Sequence, residues 1–330
     1  MSGIQVSRRD SLRTLGGAFL AGAFGAGGWP QRTVADEHSS EEAIIDTHVH
    51  VVNTRLPGLR GQTVPLAPFG KDDTEGMKRL VKMIEEETKR ARVVHALCMP
   101  RFEVSDRDPL GIEATLAVAE RVRGPKLHPI GLAHPERFDQ DHLDRVEAVL
   151  REGKVKALKV YLGYLHYEPY SPGYRRYYKL AAKYKIPVIF HCGDTYSRTA
   201  KVKYAHPLKI DEVAVDFPET KFVLAHFGNP WIMDAAQVVY KNKNVWADLS
   251  AILIGDVRAF TSMREEGVLS RAVKRIKEGI EYSESPEKLL FGSDWPLSPM
   301  VVYRDFVRQL FPEKQHAAVF GGNARKLFGL

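Results

Sequence analysis

Residues 43–50 read Ala-Ile-Ile-Asp-Thr-His-Val-His, an apolar start followed by a polar group at every second position: Asp46, His48 and His50. A short run of this kind suits a buried parallel strand. With a side-chain period of two, its polar groups leave the strand on one side, near its C-terminal end. Comparable runs begin near Val93 (VVHALCMP), Leu127 (LHPIGLAHP), Ala157 (ALKVYLGY), Pro187 (PVIFHCG), Lys221 (KFVLAHFG), Asn244 (NVWADLS) and Lys288 (KLLFGSDWP). Amphipathic stretches lie between them, at Thr74–Ala91, Gln140–Glu152, Pro172–Tyr184, Trp231–Lys241 and Ser262–Tyr282, with apolar residues at helical steps of three and four.

Strand starts recur about every 35 residues, the length of a βα unit. Eight consecutive units predict an α/β fold of the (β/α)8 TIM-barrel type. A doubly wound sheet would carry a phosphate-binding glycine turn after its first strand, and no G-x-G-x-x-G follows Ile45. Arg55–Asp73 and Tyr164–Gly173 read as long loops after the first and fourth strands, on the side where barrels place their chemistry.

The chain has 330 residues, 44% hydrophobic and 27% charged, which excludes disorder and fibrous repeats. Two cysteines, Cys98 and Cys192, are too few for a disulfide framework and too far apart for a cysteine-type zinc site. Of the formal charge of +7, Arg8, Arg9, Arg13 and Arg32 against Asp10 place three units in the first 35 residues. The remaining four are spread along the chain without a basic block, so nucleic-acid binding is not indicated.

The basic head has its own explanation. Ser7-Arg8-Arg9-Asp10-Ser11-Leu12 precedes an uncharged run from Leu15 to Trp29, then Thr33-Val34-Ala35 before Asp36. This is the order of an export signal, and it resembles the twin-arginine type, with Ser11 where that pattern usually has Phe. The run falls short of the roughly twenty apolar residues a bilayer span needs. Residues 1–35 are therefore expected to be a twin-arginine signal peptide read by the Tat translocation machinery. Residues 36–330 are expected to be a single barrel domain, periplasmic or secreted, with no stable membrane span.

The fifth strand ends in His191, the sixth in His226 and the eighth in Asp294, just before the turn sequences Cys192-Gly193, Phe227-Gly228 and Trp295-Pro296. With His48 and His50 they converge on one rim. Imidazoles at i and i+2 can approach one ion at roughly 2.0–2.1 Å, and neutral imidazole suits zinc and its neighbours.

The motifs IIDTHVH, VIFHCG, VLAHFG, FGSDWP and GGNARKLFGL, spread from Ile44 to Leu330, resemble the amidohydrolase superfamily. The likeness is to its amidohydrolase-2 branch, which also holds relatives of aminocarboxymuconate-semialdehyde decarboxylase. The resemblance implies that His48, His50 and His191 bind one divalent ion, zinc first, with Mn2+ and Fe2+ as alternatives. It makes Asp294 the fourth ligand or the partner of the bound water, and His226 a group that acts on substrate or water. Such an ion acidifies water toward a pKa of about 7; Asp294 would carry the proton and His226 would polarise the carbonyl.

Other residues admit more than one reading. Lys159, on the fourth strand, could bridge a second metal as a carboxylated lysine, bind an anionic substrate, or exit to solvent. Asp46 could orient a ligand histidine or cap a turn. His134 could reach the mouth, whereas His128 reads as structural, and Cys192 should point away from His191. Tyr164, Tyr167 and Tyr170 could line a pocket for a flat substrate or pack the next helix, as Tyr174, Tyr177 and Tyr178 do. Arg198 and Lys201 could contact a carboxylate or be solvated. The expected function is metal-dependent hydrolysis of a small lactone, ester or amide. The alternative is decarboxylation of an aromatic or unsaturated acid. A noncatalytic periplasmic binding protein would not require His226 and Asp294 beside the metal histidines. A homo-oligomer stays open.

Overall fold

Unbroken apolar runs cannot remain in water, and here each is covered on both faces. In the computed structural model, which describes residues 43–51, 56–57, 63–64 and 74–330, the strands are β1 (Ile44–Val49), β2 (Val93–Cys98), β3 (Lys126–Pro129, continued by Gly131–Leu132), β4 (Leu158–Val160), β5 (Val188–Phe190), β6 (Phe222–Leu224), β7 (Val245–Asp248) and β8 (Leu289–Leu290). All pair in parallel, in chain order. At Ile130 the third strand changes partner, its first half on β2 and its second on β4. The ring closes where Val49 bridges Trp295 and the Thr47 N–H donates to the Phe291 carbonyl at 3.0 Å. This is a TIM barrel, and Glu42–Leu330 make one compact unit. The export signal expected at residues 1–35 lies outside the described residues, as does most of the loop expected at Arg55–Asp73. Its two described pairs, Leu56–Pro57 and Thr63–Val64, form a short antiparallel ribbon.

The helices are α1 (Thr74–Ala91), α2 (Glu113–Ala119), α3 (Gln140–Arg151), α4 (Pro172–Lys183), α5 (Leu208–Asp216), α6 (Ile232–Lys241), α7 (Val257–Glu265), α8 (Val268–Ser283), α9 (Met300–Arg308) and α10 (Asn323–Phe328). The periodicity places α1, α3, α4 and α6 to within a residue. The single helix expected at Ser262–Tyr282 is instead two, because Gly267, at φ 69°, turns the chain into the left-handed region between α7 and α8. Among the described residues no helix is long and apolar enough to cross a membrane.

Alternation divides the core into two shells. Leu158, Val160, Val188 and Phe190 face outward against the helices, with Tyr174, Tyr177 and Tyr178 of α4 buried there. Ala157, Ile189, Val223 and Leu290 face into the barrel, where Ala324, Leu327 and Phe328 of α10 meet them and plug the end at which the strands begin. A fully buried side chain of this kind contributes roughly 1.5–3 kcal/mol. Continuing the inward series past this layer, toward the strands' C-terminal ends, leads from Ala157 to Lys159, from Ile189 to His191 and from Leu290 to Asp294.

Candidate metal centre and catalytic cavity

β1 does not keep the simple alternation expected of Asp46, His48 and His50. Its register on β2 slips between Asp46 and Val49; Ile45 faces the inner core, yet His48 and His50 both line the cavity. Asp46 does not orient a ligand ring. Its Oδ1 accepts main-chain N–H groups of His48 and Ser293, at 3.1 and 3.0 Å, and so ties β1 to the turn after β8. Burial pushes its carboxyl up to about 7.

Two further site candidates leave regular strand geometry. His226 sits at φ 60° and Asp294 at φ 57°, both in the left-handed region that costs non-glycine residues energy. The surroundings hold them there: the His226 N–H donates to Asp248 Oδ1 at 3.1 Å, and the Asp294 N–H donates to the His48 carbonyl at 2.8 Å. Both side chains thereby turn onto one cavity of about 430 Å3 with His48, His50, Lys159 and His191.

Among the described residues two groups place three potential ligand atoms within 4.8 Å of one another: His48, His50 and Asp294; and His48, His226 and Asp248. Asp294 Oδ1 lies 3.1 Å from His50 Nε2 and 3.5 Å from His48 Nε2. It is buried without a hydrogen-bond partner, a costly position for a carboxylate oxygen unless a cation faces it. The donor set, imidazoles and carboxylate, fits a divalent transition metal. His191 enters neither group; its Nδ1 stands 3.2 Å from His226 Nε2, and its Nε2 donates to the Asp194 carbonyl at 2.9 Å.

Burial also sets the charges. It pushes His48 down to about 4, with the Lys159 ammonium adding to the effect. It lowers His191 well below the usual imidazole range, helped by His226 and Lys159, and it lowers His226. Burial thus favours the neutral, ligand-ready form of these three rings. For Asp294 burial acts upward, but the nearby His48 and His50 outweigh it and keep the group ionised.

Lys159 does not exit to solvent. It is fully buried, with Nζ 3.5 Å from His48 Nε2 and 5.3 Å from the Tyr161 ring centre. Burial pushes its ammonium down to about 8. One residue the strand-end pattern does not single out is Asp248, whose Oδ2 accepts from His48 Nδ1 at 3.0 Å. The available signal was its place as the last residue of β7.

The tyrosines divide. Phe102, Tyr161 and Tyr164 form an aromatic wall, with Phe102 and Tyr161 centroids 4.2 Å apart and Tyr164 edge-on to His191 at 4.7 Å. Tyr167 bonds Glu136 outside the cavity, and Tyr170 is exposed. Leu165, Ala251, Ile254 and Leu297 complete the apolar lining; Asp194, Tyr196, Ser197 and Asn229 give it a polar edge. Arg198 and Lys201 are exposed and do not line the cavity. His134 binds the Glu136 amide instead of reaching the mouth. His128 pairs with His95, Nε2 to Nδ1 at 2.9 Å. Cys192 points into the outer core, as expected.

Comparison with solved structures gives the same architecture. An uncharacterized TIM-barrel protein from Bordetella bronchiseptica is 18% identical, with a TM-score of 0.58, over 87% of this chain and 98% of that one. A probable 2-pyrone-4,6-dicarboxylic acid hydrolase from Acinetobacter baumannii with citric acid bound is 15% identical, TM-score 0.54, over 87% and 100%. A 5-carboxyvanillate decarboxylase from Novosphingobium aromaticivorans, complexed with manganese and 4-hydroxy-3-methoxy-5-nitrobenzoic acid, is 11% identical, TM-score 0.56, over 88% and 97%. A search of curated proteins gave no match. The amidohydrolase family model Amidohydro_2 matches residues 45–330. The barrel, its rim of histidines and that match together place the chain in the amidohydrolase family.

Proposed function

We propose that the protein is a metal-dependent hydrolase acting on the carbonyl of a small lactone, ester or amide. The observation that carries this reading is Asp294 Oδ1, buried, ionised and without a hydrogen bond between two imidazole nitrogens at the floor of an open cavity. His48, His50, His191 and Asp294 would hold one divalent ion, zinc first, with Mn2+ and Fe2+ as alternatives. When bound, that ion supplies the positive charge that acidifies water and polarises a carbonyl. Asp294 takes the proton of the attacking water and returns it to the leaving group. His226, its ring centre 4.9 Å from that of His48, handles a second proton. The aromatic wall of Phe102, Tyr161 and Tyr164 lies against a flat or cyclic substrate.

A second reading, decarboxylation of an aromatic or unsaturated acid, is favoured by Lys159, a buried cation at the cavity floor suited to a carboxylate. Zinc-loaded protein, screened against cyclic esters, amides and aromatic acids with proton and carbon dioxide release recorded separately, tests the choice. Proton release from the esters, or free carboxylate and amine from the amides, is expected without carbon dioxide. Carbon dioxide without hydrolysis would overturn the hydrolase in favour of the decarboxylase.

A further inference from the structure

We infer that Asp248 is a positioning residue that decides which ring nitrogen carries the proton in two histidines at once, His48 directly and His226 through the hydroxyl of Ser250. The inference rests on the proposed reading of His48 as a metal ligand and His226 as a proton-handling group, and it names the device that prepares both.

A neutral imidazole has one N–H and one lone pair, and its neighbours decide which nitrogen holds which. His48 Nδ1 lies 3.0 Å from Asp248 Oδ2. A carboxylate oxygen only accepts, so Nδ1 keeps the hydrogen and Nε2 presents its lone pair to the cavity. The other oxygen, Oδ1, accepts the main-chain N–H of His226 at 3.1 Å and of Ser250 at 3.0 Å. It also accepts the Ser250 hydroxyl hydrogen. With that hydrogen committed, Ser250 Oγ has only lone pairs for His226 Nδ1, 2.9 Å away. The Ser250 carbonyl, 3.2 Å from the same nitrogen, likewise only accepts.

His226 therefore carries its hydrogen on Nδ1 and turns a bare Nε2 toward His191 Nδ1, 3.2 Å away; that nitrogen is bare as well, since His191 donates through Nε2 to Asp194, so the two lone pairs face the place of a shared cation or proton. In this state His226 takes a proton and does not donate to a carbonyl, which reverses the carbonyl-polarising role expected of it. One carboxylate on β7 thus sets a ligand on β1 and a base after β6, and the two halves can be separated by substitution.

In Asp248→Asn the three donors around Oδ1 retain the amide oxygen, so the amide NH2 faces His48 Nδ1 and drives the hydrogen to Nε2. Zinc affinity, measured by competition with a chromophoric chelator, is expected to fall about 10–100-fold. Ser250→Ala should leave zinc affinity unchanged. In metal-free protein labelled with 15N-histidine, it removes one of the two acceptors at His226 Nδ1 and leaves the main-chain carbonyl of residue 250 at 3.2 Å, so the Nε2–H fraction of the ring should rise above that of the wild type. Ser250→Thr, which keeps the hydroxyl, should restore the wild-type fraction. Unchanged zinc affinity in Asp248→Asn, or an unchanged His226 ring signal in Ser250→Ala, would overturn the relay. Neither readout uses a substrate. Wild-type protein that binds no zinc would overturn the metal reading of the site, while the ring signals would still judge the relay.

Discussion

On the proposed reading, metal affinity and turnover depend on different side chains in this cavity, and single substitutions should separate them. His48→Ala and His191→Ala are expected to lower metal affinity at least about 10–100-fold, read as metal per protein after dialysis against a chelator. His226→Ala should retain the metal while kcat falls roughly 10²–10⁴-fold. Full metal occupancy in His191→Ala would remove that residue from the ligand set and leave its inward nitrogen a partner of His226 alone, 3.2 Å away. His191, His226 and Asp294 were legible in sequence because a glycine or proline follows each within two residues and marks the strand end. Asp248 is followed by Leu249 and Ser250, which carry no turn signal. Its importance also comes from bonds to β1 and the turn after β6, far away in sequence.

At the scale of elements, the end of β5 passes so close to the turn after β6 that only glycine fits. Gly193 has φ 97°, and a Cβ there would stand 2.2 Å from the Asn229 carbonyl oxygen. Gly193→Ala is expected to lose more than about 1–2 kcal/mol of stability from backbone conformation alone. The collision should also move the adjacent His191, lowering metal affinity; urea unfolding and metal titration check the two effects. The strands were readable because buried parallel strands are continuous apolar runs. The helices α2 and α5 were not singled out because they are short, with 7 and 9 residues, too few turns for a clear period. The break between α7 and α8 escaped the periodicity because the apolar rhythm resumes on both sides of Gly267.

Across the whole molecule, acid stability reports on the lower barrel. His128, bonded to His95, is pushed down to about 4 by burial, then by His95 and two lysines. Above pH 6.5 the ring is neutral in folded and unfolded chains alike. Between pH 6.5 and about 4 the unfolded chain binds a proton the folded one refuses, so stability falls as pH drops through that window. The urea midpoint of His128→Gln should decline less steeply with falling pH than that of the wild type; equal slopes would count against the assignment. The barrel as a whole was legible from eight successive strand-and-helix units, but its closed floor was not, because nothing in Asn323–Phe328 announces where that helix docks. That floor governs traffic. With Ala324, Leu327 and Phe328 packed beneath the cavity, the end at which the strands begin is closed among the described residues, so reactant and product are expected to share the mouth at the other end, where a product that lingers shuts out the next reactant. Initial-rate measurements should therefore show product inhibition that is competitive with the reactant.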